Sequence, residues 1–154
     1  MSIALFCSSL LATEVQFRGT LIEPPPCNIS NDQTILVPFG DNVGINKIDG
    51  VNYRQPVEYS LNCDITSPQD GLSVELSTTN PTAYDTSAVN TDITGLGIRL
   101  LVEGVPAVFD TPMPVDLQGS QLPPHIEAVP VKAPDASLTE GPFNATVTLK
   151  VVYQ

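Results

Sequence analysis

Phe143, Ala145, Val147, Leu149, Val151 and Tyr153 place an apolar residue at every second position, with Asn144, Thr146, Thr148 and Lys150 between them. A period of two sorts these sets onto opposite faces of a β-strand, which must then bury one face against a core. No later strand follows it in the sequence. An edge left uncovered there predicts unpaired backbone groups and an open flank of the core. A second patterned strand stands near the other end. Val15, Phe17 and Leu21 are apolar with Gly19 in the same register, Glu14, Gln16, Arg18 and Thr20 are polar, and Pro24-Pro25-Pro26 follow almost at once. From alternation alone this first strand could still belong to its own sheet, with the prolines forming an edge crossing.

Between the two ends, short strand-like runs are separated by Gly, Pro, Asn and Asp. The expected strands begin at Cys27 and then cover Thr34–Gly40, Val57–Ile65, Gly71–Thr78, Gly95–Val102 and His125–Ala133. The polar stretch Thr79–Thr94 has no period and reads as a surface connection. The chain has 154 residues, 15 of them proline, and no segment has apolar residues at helical spacing through several turns. One all-β domain of about seven strands is expected, an immunoglobulin-like sandwich.

Net charge is −11, with 17 acidic residues against 6 basic ones. A nucleic-acid partner is excluded on this ground, because phosphate binding needs a clustered basic surface. Residues 1–12, "MSIALFCSSLLA", read as the tail of a secretory signal, with cleavage after Ala12. No Lys or Arg precedes the apolar block, so its true start is expected upstream; a buried first strand is the other reading. Cys7 falls inside that segment, which leaves Cys27 and Cys63. In an exported domain this pair most simply forms one disulfide, the alternative being two free thiols. They have no neighbouring His or Cys to complete a zinc site.

Enzymatic chemistry finds little support. His125 is the one histidine, set beside Pro123-Pro124, and no Ser or Cys lies in a nucleophile-elbow context. Acidic residues are scattered, which argues against a glycosidase pair. Gly95-Leu96-Gly97 lacks the third glycine and the helix of a phosphate loop. No catalytic residue, metal or cofactor is expected.

The two ends together resemble the pilus subunits assembled by the chaperone–usher route of Gram-negative bacteria. Such subunits end in a strand with penultimate tyrosine and a glycine fourteen residues from the end; here these are Tyr153 and Gly141. They also carry an N-terminal extension of alternating apolar residues around a glycine, ahead of the first of two bonded cysteines. Val15, Phe17, Gly19 and Leu21 before Cys27 match it.

The resemblance implies an incomplete immunoglobulin-like fold that lacks its last strand. Residues 24–154 would form the pilin domain, and residues 13–23 a donor strand for a neighbouring subunit. The acceptor groove would lie along Gly141, Phe143, Ala145, Val147, Leu149, Val151 and Tyr153. A periplasmic chaperone would fill it first, and at the outer-membrane usher the extension of the next subunit would replace the chaperone strand. Gly19 would sit where the groove leaves no room for a side chain. The prolines would hold the extension away from its own domain, since consecutive prolines favour a stiff, extended backbone. The product is a surface fimbrium, and the divergent 79–94 region leans toward a minor subunit. The competing reading is a self-contained secreted β-sandwich that binds carbohydrate or acts as an adhesin. Such a groove usually needs exposed aromatics, and the chain has only four Tyr and five Phe with no Trp.

Overall fold

The computed structural model describes residues 13–21, 27–64, 71–119 and 122–154. The expected signal segment 1–12, the prolines 24–26 and Ile65 lie outside the described residues.

Two sheets face each other. The larger contains β2 (Gln55–Pro56), β9 (Ile126–Lys132), β6 (Leu96–Val102) and β5 (Ala88–Asn90) in that order, with β7 (Val105–Pro106) also on β6. The smaller has β4 (Leu72–Ser77) between β10 (Thr148–Tyr153) and β8 (Met113–Pro114). A separate ribbon joins β1 (Cys27–Ile29) to β3 (Leu61–Cys63). Among the described residues, every strand pairing is antiparallel. The architecture is the all-β, immunoglobulin-like sandwich that the strand pattern predicts.

Local sequence explains the ladders. Glu103 and Gly104 both have positive φ, +50° and +79°, and they link β6 to β7 through the pair Val102–Val105. Two left-handed residues suit the twist of a tight hairpin, and glycine takes the second position without a steric cost. Pro130 lies within β9 opposite Ile98, but β2 reaches only Glu127 and Ala128. It therefore falls on a stretch of β9 that has no second neighbour among the described residues, where a missing N–H is tolerated.

The core lies between the sheets. Leu76 of β4 packs with Val89, Ile98, Leu100, Ile126 and Ala128 of the larger sheet, all buried. Leu72, Val74 and Val115 extend it toward the cysteines. Full burial of such side chains contributes roughly 1.5–3 kcal/mol each.

Four expectations need correction. Thr79–Thr94 is not only a surface connection, because it contains β5, where Ala88 and Val89 are 0% and 1% exposed. That strand is three residues long, too short for alternation to show. The strand expected at Thr34–Gly40 is absent, although its side chains alternate: Ile35, Val37 and Phe39 are half-buried while Thr34, Leu36 and Pro38 are exposed. Side-chain alternation persists there without a ladder partner. Among its described residues, Val57–Ile65 forms a ladder only at β3; beyond it the Val57 N–H donates to the Ile126 carbonyl and the Ser60 carbonyl accepts from the Ser30 N–H. The terminal strand pairs only from Thr148 onward, because β4 ends at Ser77, opposite Thr148.

Candidate functional site

Residues 29–37 and 143–151 form the two walls of an apolar groove of about 930 Å³. The chain reaches the first wall through Ser30, Asn31 and Asp32, which have positive φ of 48°, 54° and 59°. Short polar side chains occupy the left-handed region more readily than bulky ones. This turn leads the chain away from the β1–β3 ribbon and along the groove. The other wall is β10 and the extended residues before it. The floor is the core itself, with Leu76, Val89, Ile98, Leu100, Ile126 and Ala128 reaching the groove from below.

Both walls have an open edge. Residues 34–39 belong to no ladder among the described residues, and β10 pairs with β4 alone. Phe143, Val147, Leu149 and Val151 line the groove and are only half-buried, whereas Ala145 is exposed. A strand that faces a completed core would bury these positions fully. At one end of the groove, Phe39 and Phe143 meet with ring centroids 5.9 Å apart.

Tyr153 and Gly141, the other expected residues of this strand, lie outside the groove lining. Tyr153 packs on the core cluster that contains the cysteines, and its hydroxyl donates to Cys27 Sγ at 2.9 Å. Burial raises its pKa. Cys27 and Cys63 are directly opposed in the β1–β3 ribbon and are joined by a disulfide. Gly141 has φ +148°, and a Cβ there would meet nothing within 4 Å. Backbone conformation, not space, therefore explains that glycine.

The extension is placed quite differently. Residues 13–21 belong to no sheet, and Val15, Phe17 and Leu21 are 72%, 92% and 101% exposed. Gly19 has no atom within 4 Å of where a Cβ would sit. Among the described residues, nothing crowds that position, so space does not require a glycine there. An alternating apolar segment is thus exposed while an apolar groove stands open.

Two contributors escape the sequence reading. One is the open edge of the first wall: alternation at Thr34–Gly40 predicts a strand but not that its edge stays unpaired. The other is Asp92, within the polar stretch Thr79–Thr94. It accepts from the Asn144 backbone N–H at 2.8 Å and from Asn144 Nδ2 at 3.2 Å, and its own N–H donates to the Asn144 carbonyl at 3.2 Å. These bonds from Asn144 hold the Asp92 carboxyl below its ordinary pKa. His125 sits apart from all of this, beside Tyr59 and Glu103, with its backbone N–H donating to Glu103 Oε1 at 2.6 Å.

Known proteins resemble this chain in sequence and in fold. The sequence profile of the family described as fimbrial protein matches residues 15–154. The fimbrial-like protein YfcQ of Escherichia coli K12 is 39% identical over 142 residues, covering 92% of this chain and 87% of YfcQ. YfcR of the same organism is 39% identical over 137 residues, covering 85% and 75%. Among solved structures, the P pilus rod subunit PapA superposes with a TM-score of 0.62 at 25% identity, covering 92% of this chain and 100% of PapA. The P pilus adaptor subunit PapF gives 0.63 at 21% identity, covering 86% and 98%, a likeness of fold. The chain belongs to the fimbrial protein family and is a non-enzymatic structural subunit of a surface pilus.

Proposed function

We propose that the groove accepts a strand donated by another chain, and that residues 13–23 are the strand this subunit donates in turn. One observation carries the reading: an apolar groove open along both walls and an exposed alternating strand coexist in a chain that does not bring them together. Val15 to Leu21 spans roughly 20 Å as a strand and the wall from Phe143 to Val151 roughly 26 Å, so one extension covers most of one groove. Main-chain pairing along the open edges gives affinity, and alternate side chains in the groove give specificity. A periplasmic chaperone holds the groove during export, and at the outer-membrane usher the extension of the next subunit takes its place. The pilus then grows by one strand transfer per subunit.

Deleting residues 13–22 tests the assignment. The shortened subunit should fold on its chaperone and be recovered as a one-to-one complex, yet fail to enter the groove of the preceding subunit in an exchange assay. Loss of chaperone binding or of folding would assign the segment to its own domain.

A further inference from the structure

We propose that Asp92 is a positioning residue for strand binding, holding in place the half of the groove wall that no sheet supports. The inference rests on the strand-accepting reading of the groove. The wall from Phe143 to Val151 is built in two parts. From Thr148 onward it is paired to β4, and Lys150 also bonds across to Glu75 at 2.8 Å. From Phe143 to Val147 it has no ladder partner among the described residues, because β4 has already ended. Two contacts anchor the start of this unsupported part: Phe143 against Phe39, and Asn144 against Asp92.

The Asp92 contact acts on the backbone. Its three hydrogen bonds include both main-chain groups of Asn144, so they fix where this residue lies and how its peptide groups are turned. Asp92 is itself on a braced loop. The Thr91 N–H donates to the Leu96 carbonyl at 3.0 Å, and the Ile93 N–H donates to Thr91 Oγ1 at 3.0 Å. That loop connects β5 to β6, which belong to the opposite sheet. The clasp therefore ties the unsupported end of the wall across the sandwich to a rigid element.

A docking strand needs this geometry. Antiparallel or parallel, it must find successive N–H and C=O groups in one register, and a wall free to swing offers none. Asp92 is exposed and adds nothing to the core, so its use lies in what it holds. Among the described residues, no other titratable side chain lines the polar hollow that Asp92 shares with Asn80, Asn90 and Asn144.

Full-length chain carrying Asp92→Ala or Asp92→Asn should be compared with wild type, using a synthetic peptide of residues 13–21 as the probe. Peptide affinity and amide exchange at 143–147 and 148–153 are the readouts. In wild type the peptide should slow exchange in both segments. In Asp92→Ala binding should weaken roughly tenfold, as expected for loss of a charge-assisted bond. Protection should then survive at 148–153 and disappear at 143–147. Asp92→Asn keeps one acceptor oxygen and should recover part of both effects. Equal protection of both segments in Asp92→Ala would overturn the role of Asp92 alone. A peptide that protects neither segment in wild type would overturn the strand-accepting groove, and this inference with it.

Discussion

The rings of Phe39 and Phe143 meet at 5.9 Å with their planes tilted by 44°, joining the two walls of the groove at one end. The two residues are 104 positions apart in sequence and share no sheet, so the contact is purely a matter of side-chain packing. Both rings are half-buried, which leaves their energetic weight to packing with each other and with the core edge.

Replacing either phenylalanine by alanine should destabilise the strand-complemented protein by about 2 kcal/mol, less than a fully buried ring because part of each is already in water. The double substitution should reveal a coupling of about 0.5–1.5 kcal/mol, the range for an aromatic pair beyond its buried area. Urea denaturation of the four proteins in a mutant cycle measures both. Additive effects would mean that the walls meet there without supporting each other.

The bond between Cys27 and Cys63 closes a loop with a sequence separation of 36, worth roughly 3–4 kcal/mol in the chain-entropy description. Tyr153 leans on the same sulfur, so reduction should loosen the end of β10 as well as the β1–β3 ribbon. A thiol titration of denatured, unreduced protein lacking residues 1–12 should detect none, and Cys27→Ala/Cys63→Ala should lower the unfolding midpoint in urea. Two titratable thiols in the oxidised preparation would contradict the pairing.

Asp92 predicts an acid sensitivity confined to one end of the groove. Its carboxyl is held below the ordinary value of 3.8 by the bonds from Asn144. A depressed folded pKa contributes stability that is present above the unfolded value and is lost as pH falls through the folded one. Amide exchange at Asn144 should therefore accelerate as pH drops below 3.8, after correction for the intrinsic rate, while residues 148–153 stay protected. Asp92→Asn should flatten that dependence. A uniform acceleration along the whole strand would point to global acid unfolding instead.

Much of this was legible in the sequence because alternation is a direct record of which face a strand buries. Phe143 to Tyr153 can be read in this way, whereas Val15, Phe17 and Leu21 alternate without burying a face in their own chain. Alternation says nothing about what pairs with a strand's edges, so Thr34–Gly40 looked like an ordinary strand when it is an unpaired wall. Short buried elements leave no period at all, which is why Ala88 and Val89 were hidden in a polar stretch. The Asp92–Asn144 clasp was out of reach for another reason: it joins loops 52 residues apart through hydrogen bonds, and single polar residues carry no mark of their partners.

Thermal unfolding of the purified monomer, with and without a donor peptide of alternating apolar residues, tests the open groove most directly. The free monomer should be aggregation-prone with a low unfolding midpoint, because its core reaches solvent along Phe143 to Val151. The peptide should raise the midpoint in a concentration-dependent way, as any ligand of the folded state does. Leu149→Asp should abolish that rise, since the charge would face the apolar groove without a partner. Thr146→Asp, at an exposed polar position of the same wall, should leave most of it intact. A monomer already stable alone, and indifferent to peptide in every variant, would contradict the strand-accepting groove.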